Sequence, residues 1–454
     1  MLAMSDLPEG WVLTPLGGVA TVRSGIGFPL NFQGSIVGDL GFYKVGDISR
    51  AVAFYDGQLR EPQHRVTFAV AGKLKGTPIF KGATVFAKIG KAIHLNSRAM
   101  VVEDCLVDNN VMAVKALPAI SDKLLFRFMQ SQDLSELARS ATVPSIRKGC
   151  VESLMIPLAP LSEQTRIANQ LDTRLTRIQS CKDRFDAIPA LLKRFRQTVL
   201  DAATLGTLTE SWRETNGGDY EWKDVELRDI AEVQGGVTKD TKKQSAGDEE
   251  VPYLRVANVQ RGYINLTEVK TIRVPNAKLE GLLLEKGDVL FNEGGDLDKP
   301  GRGWIWEGQI SRCTFQNHVF RARLFDKGNQ PKFLSWWGNS RGLEYFIRSG
   351  KQTTNLASIN KTMLAALPIR LPSAAEQAEI VRRVEALFAL ADRIEARTTA
   401  ARTHAQRLSP LVLAKAFRGE LVPQDPQDEP ASVLLAGIAS SNTTLAAMGG
   451  EKRL

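Results

Sequence analysis

Few residues in this sequence are grouped in the way that catalysis or metal binding requires. No CxxC pair occurs, no histidines cluster, and the chain lacks both the Asp-Pro-Pro-Tyr loop and the Phe-x-Gly-x-Gly turn that an adenine methyltransferase needs. Neither a zinc site nor a disulfide framework is indicated, and we expect the thiols to be buried or incidental. The scattered residues are Cys105, Cys150, Cys181, Cys313, His64, His94, His318 and His404.

Two features resemble sites for phosphate or magnesium. Residues 89–92 (Ile-Gly-Lys-Ala) look like the end of a P-loop, but Val85 stands where a glycine is required and Ala92 replaces the magnesium-binding hydroxyl. Carboxylates in two loops could instead hold magnesium for a nuclease, although loop carboxylates are usually solvated. These loop carboxylates are Glu103, Asp104 and Asp108, and Glu293, Asp296 and Asp298.

Basic and amide side chains offer a different chemistry, the binding of phosphates and base edges. The net charge of +9 and the sequence pI of 9.3 indicate an anionic partner, and nucleic acid is favoured over a membrane because no basic amphipathic surface helix stands out. The same side chains could also cap turns. The candidates for contacts with DNA are Lys44, Asp47, Lys88, Lys91, Arg98, Asn109, Asn110, Arg147, Lys148, Arg255, Asn258, Arg302, Asn317, His318, Thr353, Thr354, Asn355 and Lys361.

The elements that would position these residues occur twice. A shift of about 211 residues relates the segments Trp11–Gly25 and Trp222–Gly236, and also Phe42–Ile48 and Tyr253–Val259, each of which has the pattern of a strand followed by a turn. A glycine turn and an apolar strand recur at residues 81–86 and 286–291. The loops that follow, 87–98 and 292–303, differ in sequence, as two different recognition surfaces would require.

A long amphipathic helix ends each half of the chain. From Ile167 and again from Ile380, apolar or small residues recur in steps of four or three as far as Ala202 and Lys415, which predicts a heptad-like seam. We expect Ser162 to cap the first helix, and Gly206 and Gly419 to stop the two helices. Pro189 and Pro410 interrupt the helices at positions that do not correspond, and each can kink its helix.

Length and composition place the chain among ordinary globular proteins of two or three domains. It has 454 residues, 43% apolar and 24% charged, with no apolar run long enough to span a membrane and no secretory signal, so we expect no membrane association and a cytoplasmic location. The expected divisions are residues 1–160, helix 161–212, residues 213–372, helix 373–421 and a tail, 422–454, with an acidic connector, a short helix and a mobile end.

The duplicated segments Ile156–Gln164 and Leu367–Gln377, together with Leu200–Leu208 and Ala414–Leu421, resemble the specificity subunit of type I restriction-modification systems. The resemblance spans nearly the whole chain. It implies an α/β (α+β) fold with an internal pseudo-two-fold repeat. Two tandem target recognition domains would each be followed by a long helix, and the helices would pack as an antiparallel coiled coil that serves as a spacer.

The resemblance also implies a function in which this chain reads DNA and other chains do the chemistry. Each recognition domain would read one half of a bipartite target in double-stranded DNA. Two methyltransferase subunits would bring S-adenosylmethionine, and restriction or translocase subunits would bring ATP and magnesium, so no cofactor and no catalytic residue are expected in this chain. The alternatives are the magnesium-dependent nuclease and a two-lobed protein-binding scaffold. Candidate partner-binding residues are Glu163, Gln164, Ile167, Glu376, Gln377, Ile380, Phe417 and Leu421.

Overall fold

A computed structural model describes residues 7–138, 143–216, 221–238, 247–295, 301–349, 351–352 and 357–438. The chain divides into two compact units. Unit 1 comprises Met1–Phe185 and Ala400–Leu454, and unit 2 comprises Asp186–Thr399. Each unit therefore combines one mixed α/β segment with parts of both long helices.

Unit 1 is built from short strands and short helices. Its strands are β1 (Val12–Pro15), β2 (Ala20–Ser24), β3 (Leu40–Tyr43), β4 (Gln58–Leu59), β5 (His64–Val66), β6 (Thr84–Ala87), β7 (Arg98–Val101), β8 (Cys105–Val107), β9 (Val111–Ala116) and β10 (Met155–Leu158). Its short helices are α1 (Val45–Phe54), α2 (Phe68–Lys73), α3 (Asp122–Ser131) and α4 (Lys148–Glu152). The first long helix is α5 (Leu161–Leu205), which starts in unit 1.

Unit 2 repeats most of this order. Its strands are β11 (Lys223–Glu226), β12 (Ala231–Gly235), β13 (Glu249–Leu254), β14 (Val259–Gln260), β15 (Tyr263–Ile264), β16 (Lys270–Val274), β17 (Val289–Asn292), β18 (Gly294–Gly295), β19 (Gly303–Ile305), β20 (Thr314–Phe315), β21 (Val319–Leu324), β22 (Lys351–Gln352), β23 (Ala357–Ser358) and β24 (Pro368–Leu371). Its short helices are α6 (Glu210–Asn216), α7 (Leu227–Ile230), α8 (Asn276–Leu282), α9 (Pro331–Asn339), α10 (Arg341–Ser349) and α11 (Lys361–Ala365). The second long helix is α12 (Ala374–Phe417).

The two units share the order of four strands in one sheet and three in another, although β4 adds a fifth strand to the first sheet of unit 1. The order β2-β9-β6-β7 in unit 1 matches β12-β21-β17-β19 in unit 2, and β5-β3-β8 matches β16-β13-β20. In both units an antiparallel pair, β1 with β10 and β11 with β24, brings the beginning of the α/β segment beside its end. The central strands β6 and β17 are buried along their whole length, which suits their apolar sequences. The duplication predicted from the sequence is thus confirmed as a duplicated fold.

Two local predictions need correction. The strand near Lys44 is followed in unit 1 by the ten-residue helix α1, whereas in unit 2 a turn and the β14–β15 hairpin follow. Local propensity did not predict these outcomes, because the helix includes Gly46, a poor helix former, whereas the turn includes Ala257, a good one. The apolar segments Lys123–Ala138 and Lys332–Ile347 each predict one helix, but α3 gives way to a 3-10 turn at Leu134–Leu137, and α9 and α10 are separate helices. Aromatic residues at helical spacing in the second segment predict core positions, and Trp336, Trp337 and Phe346 are buried while Tyr345 is half-buried.

The long helices pack against each other within each unit. In unit 1, Ile167 and Leu171 of α5 share a buried cluster with Leu413, Ala416 and Phe417 of α12. In unit 2, Val199 and Ala203 of α5 share a cluster with Ile380 and Val384 of α12. Early residues of one helix therefore meet late residues of the other, which is the antiparallel packing that the family resemblance implies.

The helix ends agree with the sequence at their C-terminal sides but not at the first N-terminus. Gly206 and Gly419 follow the two helices with φ of 82° and 73°, a left-handed conformation that ends a helix readily when the residue is glycine. Ser373 caps α12 by accepting a hydrogen bond from the backbone N–H of Glu376 (3.2 Å). Ser162 is not a cap, because α5 already begins at Leu161. Both helices continue through Pro189 and Pro410.

The tail packs on unit 1 through residue 438. Asp428 forms an ion pair with Arg166 (2.6 Å), and the backbone N–H of Ala431 donates to the carbonyl of Gly10 (2.9 Å). Helical residues 431–438 follow, with Ala431 fully buried. The acidic connector and short helix predicted there are present, but the connector is fixed by these contacts. The end predicted to be mobile, 439–454, lies outside the described residues.

Candidate nucleic-acid interface

The end of strand β6 in unit 1 brings three segments together around Lys88. The backbone N–H of Lys88 donates to the carbonyl of Asn110 (2.9 Å), just before β9, and its carbonyl accepts from the N–H of Ile146 (2.9 Å). The side-chain Nζ of Lys88 donates to Oγ of Ser24, the last residue of β2 (3.0 Å). Residues from two neighbouring strands and one loop thus surround the end of this central strand.

The end of strand β17 in unit 2 has the same backbone arrangement around Glu293. The N–H of Glu293 donates to the carbonyl of His318 (2.9 Å), and its carbonyl accepts from the N–H of Ile359 (2.8 Å). Gly235, the last residue of β12, takes the place of Ser24. Lys88 and Glu293 are therefore equivalent by strand position and hydrogen bonding.

A glycine is required at the neighbouring strand end in both units. A Cβ atom on Gly25 would lie 2.1 Å from the carbonyl oxygen of Asp108, and one on Gly236 would lie 2.1 Å from that of Phe315. Real Cβ atoms do not approach backbone so closely, so only glycine fits. The glycine recurs in the sequence because another backbone segment passes too close for a side chain at the end of β2 in unit 1 and of β12 in unit 2.

The side chains at the two strand ends differ although the backbone is the same. In unit 1 the cation Lys88 is half-buried and Asn109 is exposed, with Asn110 half-buried. In unit 2 the carboxylate of Glu293 contacts Nδ1 of His318, and both side chains remain partly exposed. Asn317 is half-buried beside them. We refer to these positions as the strand-end sites: Ser24, Lys88 and Asn110 in unit 1, and Gly235, Glu293 and His318 in unit 2.

Two of the predicted DNA-contacting residues form internal hydrogen bonds instead. Asp47 is buried and accepts from the backbone N–H of Lys44 (2.6 Å) while pairing with Arg50. Asn258 is buried and accepts from the N–H of Arg255 (2.9 Å). Asp47 thus fixes the first turn of α1, Asn258 fixes the equivalent turn in unit 2, and neither presents its side chain to solvent.

The cations beside these turns have local partners. Lys44 donates to Oε1 of Gln33, and its Nζ lies 5.5 Å from the centre of the Phe28 ring. Arg255 lies 3.4 Å from the carboxylate of Glu268. Both cations are half-buried, so they are less accessible than a loop position would suggest.

Arg98 also departs from the prediction. It begins strand β7 rather than belonging to an open loop, and it is 3% exposed, with its guanidinium donating to the carbonyls of Asn96 and Gln132. Burial lowers the pKa of Arg98 to about 10. These contacts give Arg98 a structural role. The sequence pattern could not separate this role from DNA binding, because a basic residue near a loop fits both.

The other basic candidates are placed at the surface or near it. Lys91 is exposed on a 3-10 turn, Arg147 and Lys148 are exposed at the start of α4, and Lys361 is exposed at the equivalent start of α11. Arg302 is half-buried, and its Nε has no hydrogen-bond partner among the described residues. The predicted contacts at Thr353, Thr354 and Asn355 lie outside the described residues. Ser24 was missed, although its position before the repeated Gly25 was a usable signal.

The eight candidate partner-binding residues are all buried in this chain, so they do not form a docking surface. Glu163 accepts from Nε1 of Trp11 (3.0 Å) and Nε2 of Gln424 (3.2 Å), and burial raises the pKa of its carboxyl. Glu376 accepts from Nε1 of Trp222 (3.0 Å). The full set is 0–7% exposed: Glu163, Gln164, Ile167, Glu376, Gln377, Ile380, Phe417 and Leu421.

The glutamines beside these glutamates also bind the same features in each unit. Nε2 of Gln164 donates to the carbonyls of Ala159 (3.0 Å) and Ala119 (2.8 Å). Nε2 of Gln377 donates to the carbonyl of Pro372 (2.9 Å) and to Oδ1 of Asn329 (2.8 Å). The repeated Glu-Gln pair therefore joins each long helix to its own α/β segment.

Several apolar residues of the long helices are exposed instead, contrary to the predicted seam. Phe195 is 37%, Ile394 39% and Leu408 45% exposed, although all three continue the four-three rhythm. Leu191 and Leu390 are exposed near Phe195 and Ile394 in sequence. Two helices alone do not cover all the apolar positions that the sequence provides.

Two of the carboxylates considered for a magnesium-dependent nuclease accept hydrogen bonds from backbone N–H groups. Asp104 accepts from the backbone N–H of Lys81 (2.8 Å), and Asp108 accepts from that of Asn110 (2.6 Å). Asp296 and Asp298 lie outside the described residues. Within the described part of the chain, no group of three or more His, Cys, Asp or Glu side chains is arranged to hold a metal ion. No helix in that part has the length and apolar character needed to cross a membrane.

A comparison with known families decides how these two units are classified. The family described as type I restriction modification DNA specificity domain matches residues 8–188 and again residues 220–401. The chain belongs to this family. The two matches fall on the two copies of the fold, so this type I specificity subunit contains two tandem target recognition domains, and the family gives no support to the nuclease alternative.

Known specificity subunits resemble this one over most or nearly all of their length. The EcoKI specificity subunit of Escherichia coli is 28% identical over 99% of this chain and 99% of its own. The EcoDI specificity subunit of Escherichia coli is 30% identical over 70% of this chain and 75% of its own. The crystal structure of the HsdS subunit from Thermoanaerobacter tengcongensis has the same fold, with a TM-score of 0.60 at 19% identity over 91% of this chain and 98% of that one.

Proposed function

We propose that this specificity subunit reads a split sequence in double-stranded DNA, with each unit contacting one half of the target. The observation that carries the proposal is the pair of strand-end sites, which share backbone hydrogen bonds but differ in side chains. The matching backbone hydrogen bonds hold the two sites at equivalent positions in the two copies of the fold. The different side chains would let the two units select different base pairs.

Exposed cations would supply the sequence-independent part of binding. Lys91, Arg147 and Lys148 in unit 1 and Lys361 in unit 2 project from loops or helix starts that adjoin the strand-end sites. Cations in such positions bind phosphates, which fixes the register of the protein on the duplex and makes affinity depend on salt. The overall charge of +9 favours the same partner.

The long helices would set the distance between the two half-sites. Helix α5 has 45 residues and α12 has 44, and each begins in one unit and ends in the other. At 1.5 Å per residue each helix is about 67 Å long. A continuous helix of this kind would serve as a stiff connection, so its length would determine how many base pairs remain unread.

Exposed apolar residues on the helices would be covered by methyltransferase subunits. Phe195 and Ile394 in unit 2 and Leu408 in unit 1 follow the seam pattern, yet the described part of the chain leaves each of them 37–45% exposed. Apolar helix positions of this kind fit the groove between helices of another chain. Replacing Phe195 and Ile394 with aspartate should prevent co-purification of the methyltransferase subunit, whereas Leu30→Asp, at an exposed apolar site away from the long helices, should not.

The chemistry would come from those partners. The chain itself would carry no catalytic residue and no cofactor, while the partners would bind S-adenosylmethionine, ATP and magnesium in the cytoplasm. Purified chain incubated with magnesium and plasmid should leave the plasmid intact. Cleavage would instead support the nuclease alternative.

The proposal is tested by selecting duplexes from a randomised pool with the full-length chain bound to its methyltransferase subunits. The selected DNA should contain two fixed blocks separated by an unread stretch of constant length, and its affinity should fall as salt rises. Selection of one continuous block would contradict the proposal that each unit contacts its own half of the target. Absence of any salt-dependent DNA binding would leave the protein-binding scaffold as the better account.

A further inference from the structure

Lys88 and Glu293 occupy equivalent positions but have opposite hydrogen-bonding chemistry. Each follows the buried central strand of its sheet, donates its N–H to the residue before the next strand, and accepts from an isoleucine N–H. The lysine ammonium offers three donors and no acceptor, whereas an ionised carboxylate only accepts. The duplicated backbone thus carries a donor in one unit and an acceptor in the other.

The side chains that contact Lys88 and Glu293 also differ between the two units. In unit 1, Oγ of Ser24 receives one hydrogen bond from Lys88, which holds the ammonium beside the end of β2. In unit 2 that hydroxyl is absent because Gly235 occupies the position, and Nδ1 of His318 contacts Oε2 of Glu293 instead. Each functional group therefore has a neighbour that fixes its direction.

A carboxylate at this position restricts what the DNA can present to it. Phosphates repel a carboxylate, so a DNA-facing Glu293 would be unfavourable unless it accepted a hydrogen bond from a base. The base-edge donors in the major groove are the exocyclic amines of cytosine and adenine. The acceptors there include O6 and N7 of guanine, which suit a lysine.

We propose that Lys88 and Glu293 are matched specificity-determining residues, with Lys88 donating to guanine acceptors and Glu293 accepting from the exocyclic amine of cytosine or adenine. This inference rests on the proposed function, because it requires the strand-end sites to face the target. It goes further by assigning one side chain and one class of base edge to each half-site. The two halves of the target would then differ at equivalent positions.

The test maps methylated sequences in cells that carry the full-length chain and its methyltransferase subunits. Lys88→Gln should reduce discrimination at one position of one half-site by about tenfold or more, and Glu293→Gln should do the same at one position of the other half-site. The position affected should be a guanine for Lys88, and a cytosine or adenine for Glu293 on the strand that the residue reads. Lys73→Gln and Glu307→Gln, which alter exposed residues of units 1 and 2, serve as matched controls and should leave the sequence unchanged.

Two results would overturn the assignment while leaving the proposed function intact. The first is an unchanged split sequence in both variants. The second is an even loss of methylation at all sites, which would make these residues sequence-independent contacts. If the unaltered chain itself directs methylation to a continuous sequence, the proposed function fails, and this inference fails with it.

Discussion

Nε1 of Trp11 donates a hydrogen bond of 3.0 Å to Oε2 of Glu163, across 152 residues of sequence. The bond connects the residue before β1 to the first turn of α5, and both side chains are buried. In unit 2, Trp222 and Glu376 form the same bond at the same distance. A buried carboxylate thus anchors a long helix to each recognition domain.

The second oxygen of each carboxylate is bound by the segment that follows the other long helix. Oε1 of Glu163 accepts from Gln424, beyond the end of α12, and Oε1 of Glu376 accepts from Thr209 (2.7 Å) and Arg213, beyond the end of α5. Each unit is therefore closed by residues distant in sequence. The two recognition domains follow each other in sequence, but each compact unit also includes the segment that follows the other long helix.

The stability of unit 1 should depend on the protonation of Glu163. Burial raises the pKa of its carboxyl above the ordinary 4.5, so the folded state holds this proton more tightly than the unfolded state does. The resulting contribution to the free energy of unfolding is present below the pKa of the unfolded state. It is lost as pH rises through the pKa of the folded state. Urea unfolding between about pH 4 and pH 7 should show a steeper loss of stability in the unaltered chain than in Glu163→Gln, which cannot titrate. Equal slopes would contradict this, and Glu103→Gln, at an exposed carboxylate, should behave like the unaltered chain.

Removing Arg213 should destabilise unit 2. Its guanidinium binds Glu376 and also donates to the carbonyl of Gly206 (2.8 Å). Arg213→Ala leaves a buried carboxylate with fewer donors, which should lower the free energy of unfolding by about 1–3 kcal/mol. The control is Arg228→Ala, which breaks a more exposed pair with Glu226 that should contribute no more than about 1 kcal/mol. Equal losses of unfolding free energy in the two variants would contradict the larger contribution expected of the buried contact.

Exposed cations near the strand-end sites should contribute to DNA affinity through phosphates. Replacing Lys91, Arg147 or Lys361 with alanine, one at a time, should reduce the slope of log affinity against log salt by about 0.9 for each phosphate that the variant no longer neutralises. Base preference should remain the same, because phosphates carry no direct sequence information. Lys73→Ala provides a control. Unchanged slopes in all three variants would place the DNA surface elsewhere.

The repeated frame was predictable because its signals are local and occur twice. The four-three rhythm, the stopping glycines and the strand patterns each reflect backbone geometry that neighbouring residues determine. Gly25 and Gly236 recur because backbone approaches them too closely for any side chain. Such features survive in a sequence even where the surrounding residues have changed.

The burial of polar residues was not predictable in the same way. Glu163 and Gln164 look like solvent-facing residues of a first helical turn, and only the distant Trp11 and Ala119 show that they are buried. Arg98 is likewise satisfied by carbonyls that lie on other segments. A pattern of charged residues indicates a polar partner but does not tell whether that partner is a nucleic acid or the protein itself.

The long helices should act as a ruler between the half-sites. Seven residues inserted between Phe185 and Asp186, and seven between Thr399 and Ala400, would lengthen each helix where it passes from one unit to the other. Seven residues add about 10 Å and nearly two turns, so the seam stays in register. The unread spacer should grow by up to about three base pairs at ~3.4 Å each. Methylation mapping would measure the spacer, and an unchanged spacer in an active complex would rule out the helices as the ruler.

The central claim is that each unit independently reads one half of a split target. Residues 7–160 can be exchanged for the equivalent segment of another family member, provided that the pair β1 and β10 is exchanged together and the tryptophan that binds Glu163 is kept. Methylated sequences in cells carrying the exchanged chain should differ from those of the original in one half only, with the other half unchanged. A change in both halves, or in neither, from a folded and active complex would contradict the account.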